Sequence, residues 1–178
     1  MTRRNRLTSL GALIGLVVYA ADQGSKYWIL HGLDLPRLGD VRVLPVLDLT
    51  MVWNHGVTFG LLTGRSGWSV AILATLALVI VAALGVWLRR TDRVSSAIAL
   101  GAIAGGALGN VTDRLRYGAV VDFIRAHAFG WSWYVFNIGD AAIVCGVAAL
   151  VLLGGAGRSG QADEAETKPH EPGASVRP

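Results

Sequence analysis

One cysteine, Cys145, stands in the whole chain, which excludes a disulfide framework within one copy. Its neighbours are apolar and no base lies near it, so it reads as a core residue rather than a thiol nucleophile. The four histidines form no HExxH pattern or other ligand spacing, so no metal site is expected and no cofactor is implied. No Gly-Lys-Ser/Thr follows the glycine-rich stretch around Gly105, which argues against a phosphate loop. Charge is scarce too. Only 16% of the 178 residues are charged against 53% hydrophobic, and mean hydropathy is +0.50, too apolar for an ordinary soluble domain. The net charge of +4 would fit a nucleic-acid partner, but the arginines sit in small groups beside apolar runs, as membrane topology requires. No nucleic acid is expected as a partner.

What is present is four apolar runs: Leu7 to Tyr27, Trp68 to Leu88, Ser95 to Val111 and Phe136 to Leu153. A span needs roughly 20 mainly apolar residues. The third run is short, so its polar end is expected at the interface. The fold expected is an all-α membrane bundle of four transmembrane helices with a small extracytoplasmic β-sheet. The membrane domain would cover 1–157, its outer β-region about 33–60, and 158–178 would be a disordered cytoplasmic tail rich in Gly, Pro, Ser and charge. Arg3, Arg4 and Arg6, then Arg89, Arg90 and Arg93, then Arg158 flank the runs on one side. The positive-inside rule puts both termini in the cytoplasm and two loops, 28–67 and 112–135, outside. The first outer loop contains "LPVLDLTMVWN", where Leu47, Leu49, Met51 and Trp53 alternate with Asp48, Thr50, Val52 and Asn54. That period of two marks a half-buried strand. Tyr27, Trp28, Trp53, Trp68, Trp131, Trp133 and Tyr134 fall near outer span ends, as an interfacial belt would. "TRRNR" before the first run also reads as a cleavable signal peptide ending near Ala20, but cleavage would detach the run from the polar "DQGSK" that follows.

Ionisable groups inside a bilayer cost roughly 2.5–3.5 kcal/mol on insertion scales, so they are paired or functional. Asp22 and Lys26 stand four apart and suit an intrahelical ion pair that supports structure. Ser25 and Lys26 are adjacent on a helix and point apart, which speaks against a serine–lysine dyad. Gly101, Gly105 and Gly109 recur at every fourth position, a spacing that lets helices approach closely. Asp122 and Asp140 lie on opposite sides of one outer excursion and can converge at one interface. Two close carboxylates share a proton, and such a pair activates water while polarising a carbonyl. Two separately solvated loop carboxylates are the plainer alternative.

Four motifs then appear in order: "DQGSK", "NHGVTFG", "GGALGNVTDRLRYGAVVDFI" and "FNIGDAAI". Together they resemble those of lipoprotein signal peptidase, the bacterial type II signal peptidase, an aspartic membrane peptidase. The resemblance runs from the first apolar run through the fourth. It implies hydrolysis of diacylglyceryl-modified prolipoproteins just before the lipidated cysteine, in the inner membrane and in contact with its lipids. It implies Asp122 and Asp140 as catalytic residues. Asn54, Gly56, Asn110, Arg114 and Asn137 would bind substrate or order the site, with Asp22, Lys26 and Asp113 as structural support. Two departures stand out: Val57-Thr58 where small residues are expected before Phe59, and Gly139 where alanine is expected before Asp140.

Two other classes compete. A small ion- or proton-coupled transporter would explain charges within spans, but no internal repeat is visible and the charges cluster at one face. A structural assembly factor would explain only the glycine-lined third run.

Overall fold

The computed structural model describes residues 2–56 and 67–166, with side chains as far as Leu152. Helix α1 (Arg3–Tyr27) starts at Thr2, whose hydroxyl accepts the Asn5 N–H at 3.3 Å, a common N-cap. It continues through a π-helical turn (Trp28–Gly32) into the short α2 (Leu35–Leu38). Strands β1 (Asp40–Leu44) and β2 (Leu47–Asn54) follow. Two long helices come next, α3 (Gly67–Arg90) and α4 (Val94–Tyr117), then β3 (Val120–Ala128), β4 (Trp131–Ser132) and α5 (Ile138–Glu166). Three helical stretches are long and apolar enough to cross a membrane: Arg3–Gly32, Trp68–Arg90 and Val94–Tyr117. A shorter apolar stretch covers Ile138–Leu152.

Helix α4 is the hub, packed against α1, α3 and α5. The glycine spacing does what close packing requires. A Cβ at Gly101 or Gly105 would collide with the α1 backbone at Gly11 or Gly15. One at Gly106 would collide with the backbone of Gly139 on α5. One at Gly109 would strike the Asp22 carboxylate, so that glycine makes room for a charge rather than for a helix.

The four strands form an antiparallel sheet in the order β1-β2-β3-β4. Its core is Ile29, Leu35, Val121 and Phe123, with Leu49 and Met51 packed against it.

Several expectations need correction. The sheet is not confined to 33–60, because the segment between α4 and α5 supplies β3 and β4. "AVVDFI" is apolar on both sides of Asp122, without the alternation of a half-buried strand, and β3 pairs along β2 from Leu47 opposite Ala126 to Asn54 opposite Val120. The third helix does not end at Val111 but at Tyr117, because Asn110 and Asp113 find buried partners within the protein. Gly118, at φ 73°, closes it with its N–H on the Arg114 carbonyl at 3.0 Å. Helix α5 continues past Leu153 to Glu166, through the start of the tail expected to be disordered. Gln161, Ala162, Glu164 and Ala165 are good helix formers. The tail's remainder, 167–178, lies outside the described residues, as do Val57, Thr58 and Phe59. Cys145 is exposed on α5, not in the core. On a helix that is apolar on several sides, apolar neighbours do not separate a packed face from an exposed one. Asp48, expected on the solvated face of its strand, is buried. Arg125 stands directly opposite it on β3 and binds it at 2.8 Å, with His127 Nε2 3.1 Å away.

Candidate active site

Asp122 lies on β3 and Asp140 in the first turn of α5, and Asn110 of α4 connects to both, directly to Asp140 and through Asn137 to Asp122. Asn137 joins them. Its Nδ2 donates to Asp122 Oδ1 at 2.6 Å and to Asn110 Oδ1 at 3.1 Å, and its Oδ1 accepts the Asp140 N–H at 2.8 Å. Asp140 Oδ2 accepts the Asn137 N–H in return at 3.3 Å. This is a reciprocal helix cap with Asn in place of Ser and Asp in place of Glu, so the last motif folds locally as a helix start. Asn110 Nδ2 donates to Asp140 Oδ1 at 2.8 Å, and Asn54 Nδ2 donates to Asp122 Oδ2 at 3.0 Å. Each carboxylate therefore has two donors, and the amides between them are spent on holding the pair.

Asn54 also accepts the Gly56 N–H at 3.0 Å, an Asx turn that fixes its rotamer. Gly56 has φ 117°, and a Cβ there would meet Leu73, so only glycine fits. Arg114 is half-buried. Its Nη1 donates to the Asn110 carbonyl at 3.3 Å, and among the described residues its buried Nε has no hydrogen-bond partner. It lines a cavity of about 620 Å³ with Trp53, His55 and Tyr117. Trp53 and Tyr117 stack edge to face there, with centroids 5.6 Å apart.

Beneath this layer lies a buried ionic cluster. Lys26 Nζ reaches Asp22 Oδ2 at 2.8 Å, Asp113 Oδ2 at 2.7 Å and Asn110 Oδ1 at 3.1 Å, which uses all three of its donors. The expected Asp22–Lys26 pair is thus real, and Asp113 completes it. Asp22 Oδ1 accepts the Gly139 N–H at 2.8 Å, and Asp113 Oδ2 accepts the Val121 N–H at 3.1 Å. Each supporting carboxylate therefore holds the backbone one residue before one of the two upper carboxylates.

Gln23 escaped the sequence reading. Its Nε2 donates to Asp113 Oδ1 at 2.9 Å and to the Gly109 carbonyl at 3.2 Å, tying α1 to α4. The available signal was an amide beside an intramembrane acid in "DQGSK". Gly139 also gains a reason. A Cβ there would sit 3.0 Å from both Asp22 Oδ1 and the Gly106 carbonyl, a tight fit where this chain has none.

Burial pushes the Asp122 carboxyl up from 3.8 to about 6. The hydrogen bond from Asn54 opposes this, the charge of Asp140 adds to it, and Asn137 and Lys26 pull it down. All ten residues expected at the site or its support lie in this one assembly, Gly56 through its turn with Asn54.

Apolar helices that bring two amide-linked aspartates together at one end have the makings of a membrane aspartic peptidase. Comparison with known proteins agrees. The chain matches the family described as signal peptidase (SPase) II over residues 14–154, and it belongs to that family. It is 47% identical over 142 residues to the lipoprotein signal peptidase of Methylorubrum extorquens (strain PA1), covering 80% of this chain and 83% of that one. It is 46% identical over 146 residues to the lipoprotein signal peptidase of Rhodopseudomonas palustris (strain ATCC BAA-98 / CGA009), covering 80% and 89%. A bacterial membrane enzyme solved by the in meso method at 2.3 Å superposes with a TM-score of 0.69 at 28% identity, covering 92% of this chain and 94% of that one. The transporter reading finds no support in these relatives.

Proposed function

We propose that this signal peptidase II removes signal peptides from diacylglyceryl-modified prolipoproteins by water attack, with Asp122 and Asp140 as its catalytic carboxylates. The observation that carries the reading is Asn137, a buried residue whose side chain donates to the Asp122 carboxylate and caps the Asp140 N–H while its own backbone N–H donates to the Asp140 carboxylate. Asp122, with its raised pKa, is assigned the proton. Asp140 faces the positive end of the α5 dipole and is assigned the ionised role. Asp140 takes a proton from water as the oxygen attacks the scissile carbonyl, and Asp122 gives its proton to the carbonyl oxygen. The tetrahedral diol then collapses. Asp140 passes its proton to the leaving nitrogen, the C–N bond breaks, and Asp122 recovers a proton from the diol hydroxyl. Arg114 Nε is the donor free for a substrate carbonyl, and Asn54 and Asn110 keep the acids in place.

Four spans, with Ile138–Leu152 extended to make the fourth, would place both termini in the cytoplasm and the acids at the outer membrane face, among its lipids. The scissile bond would arrive there held by its lipid and its signal helix, so positioning is shared between substrate and membrane. Cysteines introduced at Asp92 and Arg42 in a Cys145→Ala background test this orientation. In intact cells an impermeant thiol reagent should label the second and not the first.

The activity test is cleavage of a diacylglyceryl-cysteine peptide in micelles. Asp122→Asn and Asp140→Asn should each abolish most turnover, and the double variant should be little worse than either, as members of one catalytic unit behave. A chelator should change nothing. Near-wild-type turnover by either folded single variant would remove that residue from the mechanism.

A further inference from the structure

The β3–β4 hairpin projects an aromatic tip that the site does not use. Ala128 pairs with Trp131 around the two-residue turn Phe129–Gly130, whose φ angles are 52° and 81°. Both values are positive, as in the type I′ turn that favours Asn-Gly. A bulky Phe at the first of these positions is a strained choice, and strain of this kind persists where a function requires it. Phe129 is fully exposed, and Trp131, Trp133 and Tyr134 are 83%, 72% and 82% exposed. Four large aromatics within six residues form an apolar patch that a water-facing loop has no reason to keep.

The base of this excursion is closed by backbone bonds between Ile124 and Phe136, at 2.8 and 3.0 Å. Ile124 is two residues from Asp122, and Phe136 adjoins Asn137. Helix α5 begins at Ile138, four residues after Tyr134, so the hairpin grows from the end of an apolar, lipid-class helix. Trp and Tyr, with an apolar ring and a polar edge, are the side chains that settle at the headgroup level of a bilayer.

We propose that this hairpin is a lipid-interface anchor. It inserts Phe129, Trp131, Trp133 and Tyr134 among the phospholipid headgroups on the dyad's side of the membrane and so fixes the depth of Asp122. The occupant is lipid because the patch ends four residues before the apolar α5 and carries the residue types of a bilayer interface. The inference rests on the membrane reading of the helices, and its main test does not depend on peptidase activity.

The experiment places a spin label at Ser132→Cys, an exposed hairpin position, in full-length Cys145→Ala protein reconstituted into phosphatidylethanolamine–phosphatidylglycerol vesicles. Collision with oxygen and with an aqueous nickel chelate reports depth. The label should favour oxygen and be shielded from nickel. Phe129→Asn should then discriminate between roles. Asn suits the turn better, so a structural role predicts unchanged or improved resistance to unfolding and unchanged depth. The anchor predicts the same resistance but a label shifted toward water. It also predicts a several-fold loss of cleavage for vesicle-embedded substrate, with none for substrate in micelles. A label as open to nickel as a water-exposed loop, or a depth indifferent to Phe129→Asn, overturns the proposal. So does spin–spin broadening between labels, which would identify a second copy of the chain as the occupant.

Discussion

Asp22 Oδ1 accepts the Gly139 backbone N–H at 2.8 Å, so a carboxylate on α1 fixes the first turn of α5 one residue before Asp140. Asp113 does the same for Val121 before Asp122. Lys26 holds these two supports together. The supporting cluster and the dyad are therefore one construction in two layers. The lower layer sets backbone, and the upper layer sets side chains.

Removing Lys26 should be worse than neutralising either of its partners. Lys26→Met leaves two buried carboxylates facing each other without a cation, and breaking a buried pair costs about 3–5 kcal/mol. Asp22→Asn keeps an oxygen for the Gly139 N–H and leaves Lys26 paired with Asp113, so its cost should be clearly smaller. Unfolding in detergent, followed by circular dichroism, gives the order. Equal losses would mean that Lys26 is not the centre of the cluster.

Asp48 should matter for stability and not for turnover. The hydrogen bond from Arg125, aided by His127, holds its carboxyl below 3.8. A depressed carboxylate contributes stability above its unfolded pKa and loses it as pH falls through the folded value. Asp48→Asn should therefore melt earlier than wild type at pH 7, with the gap closing below about pH 4. Cleavage per folded molecule should be unchanged, because Asp48 lies on the sheet away from Asp122's partners.

How far these layers were legible varies with the kind of signal. Asp22 and Lys26 sit on one helix, so their spacing alone gives the pair. The glycine ladder likewise signals a close helix approach, which Gly101 and Gly105 make with α1, but its third member, Gly109, faces the Asp22 carboxylate instead. Asp113 joins that pair, and Gln23 beside it, across a separation of 90 residues from Gln23, and no local periodicity reports such a meeting. The sheet was half legible. Alternation marked β2, but its partner β3 is buried on both sides and shows no alternation to read. Asp48 misled for a related reason: a polar residue on a strand reads as solvated until the strand opposite supplies Arg125.

The pKa of Asp122 should move in opposite directions when its two neighbours are changed. Asn54→Leu removes a hydrogen bond that favours the carboxylate and should raise the value above about 6. Asp140→Asn removes a negative charge and should lower it. Carboxyl carbon shifts of Asp122 across a pH titration measure both. Stability follows the same sign. Because the folded value lies above 3.8, ionisation of Asp122 costs stability as pH rises from about 4 to 6. Wild type should lose stability relative to Asp122→Asn over that window, by at most roughly 3 kcal/mol. A constant difference between the two proteins would contradict the raised pKa.

Asn137 has two roles that different substitutions should separate. Its Oδ1 caps α5 by accepting the Asp140 N–H, and its Nδ2 holds Asp122 Oδ1 at 2.6 Å. Asn137→Ser keeps a cap acceptor but is too short to reach across to Asp122. Asn137→Ala loses both functions. The serine variant should therefore be more stable than the alanine variant by about 1 kcal/mol, the usual worth of an N-cap. If holding Asp122 is what catalysis needs, the two should nonetheless be equally impaired, on the order of 10²-fold in kcat, as misplacement of a reacting group costs. KM should change little in either, because Asn137 is buried beneath the dyad and not in the cavity beside Arg114. Activity that followed stability, with serine rescuing cleavage as well as the cap, would reduce Asn137 to a helix cap and leave the link between the two acids without a catalytic purpose.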